Sequence, residues 1–217
     1  MEYGDIIAEF SGAGATTTES LQAQLVRCMV NERMAPEVLP FATDVMARAL
    51  SGLERQQQWL LDCHELESTD LDFKLQLMVA ETEIERLNYL VRVYLRTRLA
   101  KLDRFTAFYL RDQQSVLSED EVDYVTRHFR MLNRLYTESF LKRMPAELAL
   151  LDDNKGGEQM VETPDLDQPV FFQYVGTVSV ELELGGEDVL ELHQGGIYVA
   201  RYAAIKPYLE TNDVILI

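Results

Sequence analysis

The side chains best suited to chemistry in this chain are its two cysteines and three histidines, Cys28, Cys63, His64, His128 and His193. Cys63 and His64 are adjacent within a predicted helix, so their side chains point about 100° apart, which does not suit a thiolate–imidazole pair. The histidines are far apart in sequence, and none shares a metal-ligand spacing with a cysteine. These residues therefore predict neither a nucleophilic site nor a metal site.

The glycine pairs do not form a phosphate-binding motif. "GGED" at 185–188 and "HQGGIY" at 193–198 have the character of hairpin turns, without the lysine of a P-loop or the strand–glycine–helix context of a dinucleotide site. Carboxylates are abundant, but in a chain of net charge −17 their number is weak support for a catalytic pair. We expect no enzyme activity, no cofactor and no metal, with an unrecognised enzyme as an alternative hypothesis.

The strongest departure from the acidic composition is the segment from Arg86 to Arg111. It contains seven basic residues and one acid, whereas the last 66 residues carry a formal charge of −10. The segment fits three interpretations: a solvated helix face paired with acids, a surface for an acidic protein partner, or direct contact with phosphates. We predict a partner-facing basic surface formed by Arg92, Arg96, Lys101 and Arg104.

Two charged residues lie on apolar stripes where a core residue is expected. Arg98 belongs to a stripe with steps of 4, 3, 4, 4 and 3, formed by Leu87, Val91, Tyr94, Arg98, Leu102 and Phe105. Glu32 continues a stripe with steps of 4, 3 and 4, formed by Leu21, Leu25, Cys28 and Glu32. Because an unpaired buried charge costs several kcal/mol, we predict a buried, bidentate Glu32–Arg98 ion pair. The alternative is that each side chain reaches water separately.

Apolar residues at helical spacing predict four helices in the first two-thirds of the chain. The first begins at Thr16 with a capping box to Glu19 and ends before Pro36 in an apolar corner, where Val38, Leu39 and Phe41 face inward. The others cover about 43–67, from the "STD" at 68–70 to about 110, and from Ser118 to before Pro145. Ser118 and Glu121 form a second capping box in the last helix. The predicted inner face of that helix comprises Val122, Val125, Phe129, Leu132, Tyr136 and Phe140.

The hydrophobic period falls to two in the last third, which predicts short strands and one helix at 203–210. The fold class is therefore α+β, with an N-terminal all-α helical bundle followed by a small β-rich C-terminal domain. The predicted boundaries are a flexible N-terminus at 1–15, a helical domain at 16–151, a linker at 152–164 and the β-rich domain at 165–217.

The chain ends in "VILI", which is apolar at every position. An exposed strand of this kind would be prone to aggregation, so we expect it to be central in its sheet or buried at an interface. The residues predicted to dock the β-rich domain or a neighbouring subunit are Tyr202, Ile205, Leu209, Val214, Leu216 and Ile217. Two cysteines, no basic signal sequence and no long apolar run predict a soluble intracellular protein without a membrane segment.

Four passages carry a family resemblance: "VNERMAPEVLPF" (30–41), "YLRTRLAKLDRF" (94–105), "LKRMPAEL" (141–148) and the closing "GGIYVARYAAIKPYLETNDVILI" (195–217). In order and spacing they resemble the Sld-five family of GINS complex subunits, also called GINS complex subunit four, from about Leu21 to Ile217. The helical domain also precedes the β-rich domain, as in that family.

The resemblance implies a non-catalytic scaffold subunit of a heterotetramer with three other GINS subunits. That complex joins the RecJ-like Cdc protein and the MCM ring in the CMG replicative helicase, which is required for initiation and fork progression. DNA polymerases epsilon and alpha lie close to it, and the implied location is nuclear. The alternative function is a nucleic-acid-binding module that uses the basic stretch 86–111, and direct DNA contact stays open.

Overall fold

The computed structural model describes residues 19–65, 71–145, 161–185 and 188–217. The chain divides into two compact units. The first contains the described residues up to Arg33 together with Ala42–Arg96, and the second contains Met34–Phe41 and Thr97–Ile217. The predicted flexible N-terminus (1–15) and most of the predicted linker (152–164) lie outside the described residues, and the predicted domain boundaries stay predictions.

The described part of the first unit contains α1 (Leu21–Met34), α2 (Thr43–Glu65) and most of α3 (Leu71–Arg104), whose last residues belong to the second unit. The predicted start of α1 is wrong, because Glu19 and Ser20 precede the helix. The Ser20 hydroxyl accepts the Ala23 amide at 3.2 Å and thereby satisfies an otherwise unpaired N–H of the first turn. Thr16 and the "STD" at 68–70 lie outside the described residues.

The buried stripe of α3 follows the predicted spacing of three and four residues. Its fully or nearly buried members within the first unit are Leu77, Ala80, Ile84, Leu87, Val91 and Tyr94. The helix ends at Arg104, however, and not near Leu110 as predicted. Phe105 leaves helical geometry (φ −109°, ψ 31°) before α4 (Thr106–Asp112) begins. The Thr106 hydroxyl lies 2.7 Å and 3.0 Å from the carbonyls of Leu102 and Asp103, so a side chain competes with the backbone ladder here.

A short 3₁₀ turn (Gln114–Val116) leads into α5 (Glu119–Ser139), and another (Leu141–Arg143) follows it. The predicted capping box of α5 is confirmed, since Ser118 and Glu121 exchange both hydrogen bonds. The predicted inner face is only partly right. Val125 is buried, Val122, Phe129 and Leu132 are half-buried, and Tyr136 and Phe140 are 37% and 42% exposed.

The C-terminal part contains β1 (Pro169–Tyr174), β2 (Val180–Gly185), β3 (Asp188–Leu192), β4 (Ile197–Arg201), α6 (Tyr202–Glu210) and β5 (Val214–Leu216). Strands β4, β1 and β5 form an antiparallel sheet in that order, and β2 and β3 form a separate antiparallel pair. The α+β class is therefore confirmed. The turn predicted at 185–188 includes residues outside the described ranges.

Among the described strands, β5 lies at the edge of its sheet, so the central position, one of the two predicted placements, does not occur, and burial at an interface stays a prediction. Asn212 has a positive φ of 62° at the end of α6, and the Asp213 amide donates to the Tyr208 carbonyl at 3.0 Å. This helix ending reverses the chain and directs β5 along β1. Val214 and Leu216 are each 1% exposed and lie in one core with Phe172, whereas Ile217 is 44% exposed.

Within the ranges that the structure describes, no helix has both the length and the apolar character needed to cross a membrane.

Candidate functional site

The chain segment between α1 and α2, Met34–Phe41, contributes side chains to two hydrophobic clusters of the second unit. We call it the corner segment. Ala35 is 3% exposed and belongs to the C-terminal core, against which Leu39 also packs. Val38 is 3% exposed and packs in a second cluster, and its amide donates to the Tyr109 hydroxyl at 2.7 Å. Of the three residues predicted to face inward, Val38 is therefore buried, Leu39 packs against a core, and Phe41 is half-buried.

Arg98 is fully buried and binds the carboxylate of Glu121 with two parallel hydrogen bonds. Its Nε donates to Oε1 at 2.7 Å and its Nη2 donates to Oε2 at 2.8 Å. Glu121 is itself 6% exposed. A bidentate pair with this geometry offsets the cost of burying both charges, which neither residue alone could do.

The Arg98 guanidinium also binds backbone groups on both sides of this ion pair. Nη1 donates to the Leu39 carbonyl at 2.6 Å, and Nη2 donates to the Val116 carbonyl at 3.2 Å. The Phe41 amide donates to the same Val116 carbonyl at 3.0 Å, and the Phe41 ring centroid is 5.1 Å from the guanidinium carbon. One buried cation thus fixes the corner segment against the turn that precedes α5.

Glu121 serves both the ion pair and the helix cap. Its Oε2 accepts the Ser118 amide at 3.1 Å, while its own amide donates to the Ser118 hydroxyl at 3.2 Å. The sequence pattern assigned Glu121 only to the capping box and did not reveal its pairing with Arg98. The signal that could have revealed it is spacing, because Glu121 lies one turn before Val125 on the buried face of α5.

Glu32, like Arg98, is fully buried. Separate exposure of the two side chains to water, the alternative considered from the sequence, therefore does not occur. The carboxylate that forms the bidentate fork with Arg98 is that of Glu121. The Glu32–Arg98 pair itself stays a prediction.

Glu37 connects the corner segment to α6 through its carboxylate. Oε1 accepts the Tyr202 hydroxyl at 2.8 Å, and Lys206 Nζ lies 2.8 Å from Oε1 and 2.9 Å from Oε2. Lys101 Nζ donates to the Glu37 carbonyl at 2.7 Å. Tyr202 is fully buried, and its hydroxyl donates a hydrogen bond to this carboxylate where water does not reach it.

Replacing Glu37 by alanine is expected to lower the free energy of unfolding by about 2 kcal/mol, because the buried Tyr202 hydroxyl loses the hydrogen bond that Glu37 accepts. Lys206→Met is the matched control. The lysine side chain is 40% exposed, so its loss is expected to cost about 0–1 kcal/mol. Urea denaturation of the two variants measures the difference. Equal effects of both substitutions would show that the Tyr202 hydrogen bond adds nothing.

The residues predicted to form a basic surface differ in their surroundings. Arg92 and Arg96 are exposed within the first unit. In the second unit, Lys101 binds the corner segment, and Arg104 is 70% exposed with its Nε 3.6 Å from Glu162. Lys101 therefore has a structural role that its position in the sequence did not reveal, and partner contact by the set stays a prediction.

The residues predicted to dock the β-rich domain or a neighbouring subunit are mostly internal. Five of them are at most 8% exposed, namely Tyr202, Ile205, Leu209, Val214 and Leu216. They belong to the core that also contains Ala35 of the corner segment. Their role at a subunit interface stays a prediction, and Ile217 is the exposed member of the set.

A polar cluster joins the end of α3 to α5. The Tyr124 hydroxyl donates to Asp103 Oδ1 at 2.6 Å, and His128 Nδ1 lies 3.1 Å from the Thr106 hydroxyl. The hydrogen bond to Asp103, followed by burial, raises the pKa of Tyr124 above its usual range. The Tyr124 phenol, like any tyrosine, is protonated at neutral pH, and here it acts as a donor to the carboxylate.

The thiols offer no activated nucleophile. Burial is the main cause that raises the pKa of both Cys28 and Cys63, so both are protonated at neutral pH. Among the residues with described positions, no cluster of histidine, cysteine and acidic side chains could hold a metal ion. The buried polar groups of the site bind one another or the backbone, which holds segments together.

Comparisons with known proteins agree with this architecture. Residues 56–140 match the family described as GINS complex protein helical bundle domain. Residues 164–217 match the family described as DNA replication complex GINS protein SLD5 C-terminus.

Proteins named DNA replication complex GINS protein SLD5 from three yeasts are similar to the chain over most of their length. The protein from Debaryomyces hansenii is 44% identical, over 100% of this chain and 98% of its own. The Schizosaccharomyces pombe protein is 34% identical over 93% and 94%. The Saccharomyces cerevisiae protein is 32% identical over 90% and 80%.

Proposed function

The chain belongs to the SLD5 family of GINS proteins, and we propose that it is a non-catalytic scaffold subunit of a GINS complex in DNA replication. The observation that carries this proposal is the end-to-end similarity to a protein named for that complex, at 44% identity. In the proposed assembly the chain forms a heterotetramer with three other GINS subunits. Its place of action is the nucleus.

The proposal extends to the assembly that the GINS complex enters. We propose that the tetramer binds the MCM ring and the RecJ-like Cdc protein in the CMG helicase and acts in initiation and fork progression. DNA polymerases epsilon and alpha are proposed as neighbours at the fork. In this assignment ATP hydrolysis belongs to the MCM ring, and this chain contributes shape and binding surfaces.

The use of buried polar groups supports a scaffold role. Arg98 and Glu121 bind the corner segment to the turn before α5, and Glu37 binds it to α6. These interactions set the relative positions of structural segments, and their carboxylates and cations are occupied by one another. A scaffold needs such fixed geometry because its partners must meet defined surfaces.

The alternative function is nucleic-acid binding through the basic stretch 86–111. Arg92 and Arg96, which are exposed, favour it. Arg98 and Lys101 are less available for it, since each binds groups of this chain. The salt dependence of binding distinguishes the two functions. Affinity that rests on phosphate contacts falls steeply as the salt concentration rises, whereas the affinity of an apolar subunit interface does not.

Affinity purification of the tagged chain from replicating cells tests the proposal. We expect three similar-sized GINS partners and MCM subunits to co-purify, identified by mass spectrometry. Recovery of the chain with nucleic acid and without those proteins would contradict the scaffold role and favour the alternative function.

A further inference from the structure

Helix α3 carries a second regular stripe on the face opposite its buried one. Its members recur at alternating steps of 4 and 3 residues, and all are exposed. We call it the exposed stripe, formed by Leu71, Leu75, Met78, Thr82, Glu85, Tyr89, Arg92 and Arg96. Alternating steps of this kind are the spacing at which one helix packs along another in a coiled coil. The stripe lies within the first unit.

The N-terminal part of the exposed stripe is apolar. Leu71, Leu75 and Met78 are 78%, 61% and 64% exposed on successive turns. Single exposed apolar side chains are common on protein surfaces, but a continuous row marks an interaction site. Because the row continues at heptad spacing, the surface that would cover it is itself a helix.

The C-terminal part of the stripe is basic. Elsewhere on exposed helix surfaces, arginines pair with acids one turn away, as Arg86 does with Glu83 and Arg127 does with Asp123. Within the described ranges, by contrast, neither Arg92 nor Arg96 has a carboxylate at salt-bridge distance, and Arg92 Nε donates only to the Asn88 carbonyl at 3.2 Å. Their charges are therefore complementary to an acidic surface that this part of the chain does not provide.

We propose that the exposed stripe docks a helix of another GINS subunit. That helix is apolar opposite Leu71, Leu75 and Met78, and it presents carboxylates opposite Arg92 and Arg96. The stripe extends over 26 residues, from Leu71 to Arg96, which corresponds to an interface about 37 Å long at a rise of 1.5 Å per residue. This inference rests on the proposed function, since it specifies how the chain binds a partner subunit.

Duplex DNA is a poorer occupant of the same face. Glu85 belongs to the stripe and precedes Arg92 by two turns, a rise of about 10 Å. A phosphate backbone that followed the stripe would therefore pass over a carboxylate. DNA also has no apolar surface along its backbone to cover Leu75 and Met78.

The test is assembly with the three partner subunits by co-expression, followed by measurement of the dissociation constant of the purified complex. Two double variants address the two halves of the stripe, Leu75→Ser with Met78→Ser and Arg92→Glu with Arg96→Glu. Each is expected to weaken assembly about tenfold or more. The matched control is Arg127→Glu with Arg134→Glu on α5, whose arginines are 79% and 80% exposed beside acids. The control is expected to assemble like the wild type.

Circular dichroism of each variant checks that its helices are intact. Weakened assembly with normal helix content supports the inference. Wild-type assembly by both stripe variants overturns the inference and leaves the proposed function standing. A loss of duplex DNA binding by the arginine variant, with assembly unchanged, also overturns the inference and leaves the proposed function standing. If the wild-type chain itself fails to assemble with the three subunits, the proposed function is overturned.

Discussion

Replacing Arg98 by methionine is expected to lower the free energy of unfolding by about 3–5 kcal/mol, the usual cost of removing one partner of a buried ion pair. The substitution leaves the Glu121 carboxylate, which is 6% exposed, without its cation. The carbonyls of Leu39 and Val116 also lose a donor. Urea denaturation followed by circular dichroism measures the loss, which is large beside the typical stability of a domain.

Two further variants test whether the stability lost in Arg98→Met comes from the buried ion pair. Arg86→Met is the matched control, because Arg86 lies on the same helix and pairs with Glu83 while 45% exposed. Its loss is expected to cost about 0–1 kcal/mol. The double variant Arg98→Met with Glu121→Met is expected to be more stable than Arg98→Met alone, since it removes the unpaired carboxylate. A loss for Arg98→Met no larger than that for Arg86→Met would show that the buried pair is unimportant.

Deleting residues 214–217 is expected to unfold the C-terminal core and to abolish assembly with partner subunits. The deletion removes Val214 and Leu216, each 1% exposed, and all pairing of β5 with β1. Loss of buried aliphatic side chains costs about 2–5 kcal/mol for a leucine alone, so the whole strand accounts for much of a domain's stability. Limited proteolysis of the chain and its recovery with co-expressed partners measure the two effects.

The control for this deletion is Ile217→Ser, which changes the exposed terminal residue and keeps β5. Ile217 is 44% exposed, so the substitution is expected to leave proteolysis of the core unchanged, and its effect on recovery tests the predicted docking role of Ile217 separately. An intact complex that contains the truncated chain would contradict the role assigned to β5. Equal defects in the control and the truncation would place the effect in the terminal residue instead.

Regular patterns made part of this architecture predictable from the sequence. The spacing of apolar residues identified the buried face of α3, and Ser118 with Glu121 identified the start of α5. The same spacing showed that Arg98 lies where a core residue is expected, and the side chain is fully buried. These inferences succeeded because each depends on residues within a few turns of one helix.

The interactions that complete the site could not be found in the same way. Arg98 Nη1 donates to the Leu39 carbonyl, and a backbone carbonyl has no signature in the sequence. Glu37 and Tyr202 are 165 positions apart, and neither residue departs from a local pattern. The edge position of β5 depends on strand order, which the alternation within one strand does not specify. Pairings between residues this far apart in the sequence can be identified only from the folded structure.

The buried hydrogen bonds and the apolar packing described above meet at the corner segment. Its carbonyls accept hydrogen bonds from the buried Arg98 and the half-buried Lys101, and Glu37 accepts the buried Tyr202 hydroxyl. Its apolar side chains lie in two clusters of the second unit. A substitution here therefore affects several packed elements together. We expect such substitutions to impair partner binding through the shape of the chain, with no change at a catalytic group.

Membership of a four-subunit GINS complex is the part of the proposed function on which the rest depends. Native mass spectrometry of the chain co-expressed with the three other subunits measures it. We expect one dominant species whose mass equals the sum of one copy of each subunit. A chain that stays monomeric, or that forms only an oligomer of itself, would contradict the proposed function.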